Sequence, residues 1–365
     1  MNIALFTPSQ NPYSETFIQA HKKYLKDKVF YYYGSGNHIH LEEHPRLNDS
    51  WKLFFLKIKR KLFREPFATI YERLLLDSLK KNKIDVVLAE YGTHAYSILP
   101  VIKKAGLPLI VHFHGYDASV KRVIEKHNDY REVFAYASKV IAVSKVMMEK
   151  LQVLGCPKGK LVYNVYGPQP EFHQVVPTFL KNQFVAIGRF TDKKAPYYTL
   201  LAFAKALTKN PDAVLIIAGD GALLNMCQNL TRHLRIEKQV QFLGVITPEE
   251  YRNLLGESIA FVQHSITAKN GDMEGTPLAV LEASAAGLPV ISTFHAGIPD
   301  VVIHGKTGLL SEEHDVEGMA ENMLKILNDT GFAKTMGESG KQHIASNFSL
   351  QRHINSLQEI LELKK

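Results

Sequence analysis

Short apolar runs, each ending in a polar loop, recur along the whole chain and limit its fold more than any other feature. Ile3-Ala-Leu-Phe6, Val29-Phe-Tyr-Tyr-Tyr33, the run from Ile84 to Gly92, that from Pro108 to Asp117, and Lys139-Val-Ile-Ala-Val-Ser144 form a first series. Phe184-Val-Ala-Ile-Gly188, Ala213 to Gly219, Val240-Gln-Phe-Leu-Gly244, Ile259-Ala-Phe-Val-Gln263 and Pro289-Val-Ile-Ser292 form a second. Runs this apolar read as strands of a sheet covered on both faces. Helix-like stretches separate them: Phe17 to Leu25, Ile98 to Ala105 and a segment ending at Leu154, then 196–209, 222–234, 248–255 and 277–286. The alternation predicts an α/β protein built on doubly wound parallel sheets. In such sheets ligands bind at the carboxyl edge, where the loops after the strands gather.

At 365 residues the chain is long for one core, so two domains are expected. The segment from Val165 to Pro177 is rich in proline and poor in pattern, which makes it the linker. A first Rossmann-like domain is therefore expected over 1–170 and a second over 177–349, with a cleft between their strand ends. An apolar fraction of 45% and a charged fraction of 22% fit an ordinary globular protein and exclude a disordered one. No apolar run approaches the roughly 20 residues of a membrane-spanning helix. Met1-Asn-Ile-Ala-Leu-Phe-Thr7 lacks the basic start of a signal peptide and reads as a buried strand, so a cytoplasmic location is expected. Cys156 and Cys227 are the only cysteines and lack metal-ligand spacing, which fits a reducing compartment and argues against a zinc or disulfide framework.

Positive charge is concentrated near the start. Residues 21–65 hold eleven Lys or Arg against five Asp or Glu, most of the formal excess of +8. Within this region 51–64 reads as a basic amphipathic helix. Trp51, Phe54, Phe55, Ile58 and Leu62 lie at helical spacing, with Lys52, Lys57, Lys59, Arg60, Lys61 and Arg64 interleaved. Two readings stay open: a core-facing helix with a solvated basic face, or an interfacial helix on an anionic membrane surface. Nucleic acid is not an expected partner.

The chemistry gathers in the second half. The stretch from Ala268 to Ser292 begins as a polar loop and passes Gly275-Thr276-Pro277, where a helix should start. It then runs Leu278, Val280, Leu281, Ala283, Ala285, Ala286 and stops at Gly287. Proline at the first turn costs no hydrogen bond, and the free N–H groups there form an anion site. Glu274 and Glu282 flank that start, two acids placed to catch hydroxyls around a bound phosphate. Gly188-Arg-Phe-Thr-Asp-Lys-Lys194 leaves the first strand of the second series and enters a helix at Pro196, so Arg189 and Lys194 offer two cations beside free N–H groups. Asp220, between Gly219 and Gly221, reads as a turn former. His112 reads as a satisfied strand histidine, His114 as the better candidate for a site, and His94 as equally a surface residue.

Taken together, Arg189 with Lys194, Ala218-Gly-Asp-Gly221, Val240-Gln-Phe-Leu-Gly244 and Glu274-Gly-Thr-Pro-Leu-Ala-Val-Leu-Glu282 followed by Ala286-Gly-Leu-Pro-Val290 resemble the retaining glycosyltransferases of family 4, which have the GT-B fold. Ser14-Glu-Thr-Phe-Ile18 and His112-Phe-His-Gly-Tyr-Asp117 are similar to patterns of the same family. The resemblance implies two Rossmann-like domains facing across a cleft, with a helix at about 350–365 returning to the first. It implies transfer of a sugar from a UDP- or GDP-sugar to a glycan or lipid-linked saccharide, with retention of configuration, no protein nucleophile and neither metal nor cofactor. Arg189 and Lys194 would neutralise the donor diphosphate, Glu282 would accept the ribose hydroxyls, and Glu274 would hold the transferred sugar. The N–H groups of Gly275, Thr276 and Leu278, around Pro277, would face phosphate and sugar, and the base would rest near Gly244 and Val245. From the first domain, His114 would face the sugar, while Tyr13, Ser14, Glu15, Thr16 and Asp117 would border the phosphates and acceptor. Ala195 stands where a glycine is frequent, a change the helix start is expected to absorb. A nucleotide-sugar epimerase on the same scaffold is the alternative activity.

Overall fold

The computed structural model describes residues 1–10, 15–36, 38–43, 47, 50–64 and 68–363. The chain forms two compact units, one of Met1–Val143, Met147–Asn164 and Ile354–Lys365, the other of Ser144–Val146 and Val165–His353.

The first unit holds strands β1 (Asn2–Thr7), β2 (Lys28–Tyr33), β3 (His40–Leu41), β4 (Val86–Glu90), β5 (Leu109–His112), β6 (Lys139–Ala142) and β7 (Leu161–Tyr163). They lie in the order β3-β2-β1-β4-β5-β6-β7. Every pairing is parallel except β2 with β3. Ile3 to Phe6 and Val86 to Ala89 are fully buried, as strands covered on both faces must be. The order reverses between β1 and β4, which makes their carboxyl ends the switch point of this sheet. Helix Gly92–Ala105 starts earlier than the apolar pattern indicates, because Tyr91 turns the chain at φ 72° and His94 is buried. His94 is therefore an interior residue, not a surface one.

In the second unit, β8 (Gln183–Ile187), β9 (Val214–Ala218), β10 (Val240–Gly244), β11 (Ala260–Val262), β12 (Val290–Thr293) and β13 (Gly308–Ser311) form an all-parallel sheet in the order β10-β9-β8-β11-β12-β13. Here the switch point lies between β8 and β11. The two loops singled out in the sequence, 188–195 and 263–277, leave those two strands. Helix Leu278–Ala286 is apolar on every side, and Val280, Leu281 and Ala283 to Ala286 are all buried. Gly287 ends it in the left-handed conformation at φ 91°.

Some elements carry too little pattern to be read in advance. β3, β7 and β13 have two to four residues. Helices Ala68–Lys81, Val316–Asn328 and Thr330–Asn347 have no preceding apolar strand long enough to announce them. Helix Ser50–Phe63 is present, but Phe54, Phe55, Ile58, Leu62 and Phe63 are exposed, so its apolar face does not enter the core.

Gly219 closes the edge where the site forms. Its N–H donates to the carbonyl of Gly244 at 2.7 Å, its φ is +135°, and a Cβ there would lie 1.9 Å from the carbonyl oxygen of Gly188. The substitution Gly219→Ala is expected to destabilise the second unit by about 2 kcal/mol or more, seen as a lower urea midpoint.

Candidate active site

After β8 the chain turns at Gly188, buries Phe190 and makes a one-turn 3-10 helix, Asp192–Lys194, before helix Pro196–Leu207. Ala195 stands at φ 38° and ψ 51°, a left-handed conformation that glycine adopts without cost, so the helix start absorbs the alanine only with strain. The tight turn sends two adjacent lysines to different partners. Lys194 Nζ lies 3.4 Å from Glu274 Oε1 and donates to Gln263 Oε1 at 3.2 Å. Lys193, itself buried, donates to Asp272 Oδ1 at 3.0 Å and to the carbonyl of Met273 at 3.2 Å. The loops after β8 and β11 are thereby fastened together at the switch point. Arg189 is exposed and lines the same pocket as Gly188, Lys194, Thr199 and Gln263.

The two glutamates sit in opposite electrostatic surroundings. Burial pushes the Glu274 carboxyl up, but Lys194 first and then Lys193 outweigh it and hold the group at about 2. Glu282 has only Lys194 to oppose its burial and is pushed up to about 7. Burial likewise lowers the Lys194 ammonium, against the pull of Glu274. Gly275 accepts the N–H of Gly297 at 2.9 Å, Thr276 and Pro277 are buried, and Leu278 opens the helix. At the end of β10, Gly244 turns with φ 69°, leaving Val245 exposed beside it. Among the residues expected at a donor, Arg189, Lys194, Glu274 to Leu278 and Glu282 thus belong to two loops and one helix start at one sheet edge. Gly244 and Val245 stand at the end of a strand further along that edge.

Two residues the sequence does not single out complete this corner. His295, after β12, accepts the N–H of Glu274 at Nε2, 3.1 Å away, and its Nδ1 lies 2.6 Å from Glu313 Oε1. Asp272 is the partner of Lys193.

In the first unit, Glu90 ends β4 fully buried, ringed by histidines. His21 Nδ1 is 2.7 Å from Oε1, while His112 Nδ1 and His114 Nε2 are 3.1 and 2.9 Å from Oε2. Burial raises the Glu90 carboxyl, but His21, His112 and His114 together take it well below the ordinary glutamate range. Burial lowers His112, and it takes His114 down to about 4 against the pull of Glu90. His21, Glu90 and His112 are the set among the described residues whose ligand atoms lie close enough for a cation, but the contact of His21 is that of a direct hydrogen bond. Asp117 is fully buried. It accepts the N–H of Gly92 at 2.6 Å and that of His114 at 2.8 Å, so it shapes the turn. Glu15 precedes helix Thr16–Tyr24, opened by Thr16, and helps push the phenol of Tyr91 up, after burial. Tyr13 and Ser14 lie outside the described residues. A single acid closing an apolar strand, Ala89-Glu90-Tyr91, is the signal by which Glu90 could have been found.

Residues 25–164 match the Glycosyltransferase Family 4 model and residues 169–343 the Glycosyl transferases group 1 model. The chain belongs to glycosyltransferase family 4 and has the GT-B fold. It is 30% identical over 254 residues to the amylovoran biosynthesis glycosyltransferase AmsK of Erwinia amylovora, an alignment spanning 68% of this chain and 62% of that protein. It is 25% identical over 292 residues, 77% of this chain and 71% of the relative, to the putative colanic acid biosynthesis glycosyltransferase WcaL of Escherichia coli (strain K12). A third relative, the UDP-Gal:alpha-D-GlcNAc-diphosphoundecaprenol alpha-1,3-galactosyltransferase of Escherichia coli, is 24% identical over 305 residues, 77% of this chain and 76% of that one. Among solved structures, Anabaena Alr3699/HepE in complex with UDP-glucose superposes with a TM-score of 0.79 at 16% identity, covering 99% of both chains, a likeness of fold.

The raised Glu282 has a measurable cost. Between its usual value of 4.5 and about 7 the folded protein keeps a proton that the unfolded chain has released. Stability therefore falls as pH rises through this window, and the full cost applies above it. Glu282→Gln is expected to raise stability by about 1 to 3 kcal/mol at pH 8 and by little at pH 5, measured as melting temperature at both pH values.

Proposed function

We propose that the protein is a retaining glycosyltransferase that moves a sugar from a UDP- or GDP-sugar to a glycan or lipid-linked saccharide during synthesis of a surface polysaccharide or related glycoconjugate. The observation that carries this is the pairing of Lys194 with Glu274 at the switch point of the second sheet, with Arg189 in the same pocket. The names of the amylovoran, colanic acid and diphosphoundecaprenol relatives support the choice of acceptor class.

In the reaction, the bond between the anomeric carbon and the donor phosphate oxygen breaks and its electron pair stays on the diphosphate. Arg189 and Lys194 neutralise the charge that develops there, a stabilisation that grows toward the transition state. The acceptor hydroxyl attacks from the face the phosphate leaves, and its proton passes to the departing phosphate oxygen, so configuration is kept. Glu274 accepts hydrogen bonds from the transferred sugar and Glu282 from the ribose. With two side-chain cations on the diphosphate, the step runs without a metal. Lys194→Ala is expected to lower transfer by about 10²-fold or more and to remove most of the thermal stabilisation given by UDP or GDP. Unchanged transfer and unchanged nucleotide stabilisation in this variant would refute the assignment.

The exposed face of helix Ser50–Phe63 supports a second element of the proposal, docking on the cytoplasmic surface of a membrane. Phe54, Ile58 and Leu62 stand one turn apart on the exposed side, with Lys57, Lys59 and Lys61 also exposed, as an interfacial helix on anionic lipid requires. Among the described residues no helix is long and apolar enough to cross a membrane. The protein is expected to sediment with phosphatidylserine-containing vesicles at low salt and to lose that binding when Lys57, Lys59, Arg60 and Lys61 are neutralised together. Equal sedimentation with purely zwitterionic vesicles would rule out the electrostatic part.

A further inference from the structure

We infer that His295, oriented by Glu313, is a positioning residue for Glu274: it fixes the backbone of the loop that presents this carboxylate to the transferred sugar. The inference rests on the sugar-binding role proposed above for Glu274.

The loop 267–274 is held at both ends by one carboxylate. Oε2 of Glu313 accepts the N–H of Thr267 at 2.8 Å, and Oε1 lies 3.3 Å from the Thr267 hydroxyl, which donates to it. The same Oε1 is 2.6 Å from His295 Nδ1, and the far side of that ring, Nε2, accepts the N–H of Glu274 at 3.1 Å. An N–H pointing at Nε2 requires a lone pair there, so the ring proton sits on Nδ1 and is donated to Glu313. The arrangement selects the tautomer that carries its proton on Nδ1. The imidazole is fully enclosed, which leaves water no access to replace either bond.

The next residues in the same turn complete the grip. Gly297 donates its N–H to the carbonyl of Gly275 at 2.9 Å, and a Cβ on Gly297 would come within 2.5 Å of that oxygen and 2.1 Å of Thr276 Oγ1. The Met273–Glu274 peptide and the Gly275–Thr276 peptide are thus both bonded to the turn 295–297. Lys193 holds the middle of the loop through Asp272 and Met273. The Glu274 side chain is aimed by Lys194, while the peptide that carries its N–H is held by His295 on one edge and by Lys193, through the Met273 carbonyl, on the other.

This division of labour makes a specific prediction. Glu274 contacts the sugar and not the nucleoside diphosphate, so loosening its backbone should spare the nucleotide. In His295→Ala, affinity for UDP or GDP is expected to stay at the wild-type level. Affinity for the cognate UDP- or GDP-sugar should drop, and kcat should fall by about 10²-fold, the scale of a displacement of about 1 Å at a reacting group. His295→Gln, whose amide oxygen can accept the same N–H, should recover most of that loss. The effect of His295→Ala should vanish in a Glu274→Ala background, because two residues acting through one contact are not additive. Hydrogen exchange gives a reading independent of activity: peptides covering 267–277 should exchange faster in His295→Ala and Glu313→Gln, while helix Pro196–Leu207 is unchanged. Equal weakening of nucleotide and nucleotide-sugar binding, full additivity with Glu274→Ala, or unchanged exchange in 267–277 would overturn the inference. Wild-type protein that transfers no sugar, with faster exchange in His295→Ala, would overturn the proposed function and leave the relay standing.

Discussion

The contact between Lys194 and Glu274 organises the second unit's site, and its energetics explain the rest of the corner. Both side chains are nearly enclosed, at 14% and 10% exposure, so each has given up most of its hydration. Removing an ion from water costs several kcal/mol, and mutual attraction repays this only when the remaining hydrogen-bonding capacity is also met. Gln263 supplies part of it for Lys194, and its own amide is in turn fixed by Ser265 at 2.8 Å. A pair of apolar side chains would fill the same space with equal or better stability. What apolar residues cannot provide is a preset cation and anion at the carboxyl ends of β8 and β11, already oriented before any ligand arrives. The surrounding bonds of Lys193, Asp272, His295 and Gly297 serve that preorganisation.

Glu274 and Glu282 illustrate how environment separates two chemically identical groups. They stand on either side of one helix start, yet cations hold the first at about 2 while burial drives the second to about 7. Acids whose surroundings push them apart in this way take different duties. Glu274 stays an anion throughout the working range, which suits the sugar-binding role proposed for it. Glu282 changes charge near neutrality, so in the ribose-binding role proposed for it a diol that donates two hydrogen bonds would favour the ionised form. Ligand binding and deprotonation of Glu282 would then be linked, at a cost in stability to the empty site.

Much of this was legible in the sequence, and what was not has a physical reason. The strands declared themselves because a sheet buried on both faces needs unbroken apolar runs, as in Ile3 to Phe6 and Leu215 to Ala218. The pair Arg189 and Lys194 and the pair Glu274 and Glu282 stood out because each lies within a few turns of chain around a strand or helix end. Lys193 did not, although it is the more buried of the two lysines, because its partner Asp272 is 79 residues away. His295 and Glu313 are equally remote from the reading available along one segment, since β12 and β13 must first pair before their following loops meet the loop after β11. Asp117 shows the other side of such reading. It follows the strand that carries His114 and looks like a site acid, and in the fold each of its oxygens accepts a backbone N–H, from Gly92 and His114.

The same constraint operates in the first unit with a different cast. Glu90 ends β4, and β4 is the neighbour of β1 at the point where strand order reverses. At such a point the helices on either side diverge to opposite faces, so the strand ends are less completely covered than the middle of the sheet. A carboxylate there can be ionised only if positive or hydrogen-bond-donating groups replace water. Three imidazoles do so, through the charge interactions of His21 and His112 and the hydrogen bonds of His112 and His114. Glu274 solves the same problem with lysines. Both units therefore place a buried carboxylate, supported by side chains from other strand ends, at the one location where a parallel sheet leaves room for a ligand. The chemistry follows from the topology, because the switch point is where a charge can be held without being hidden.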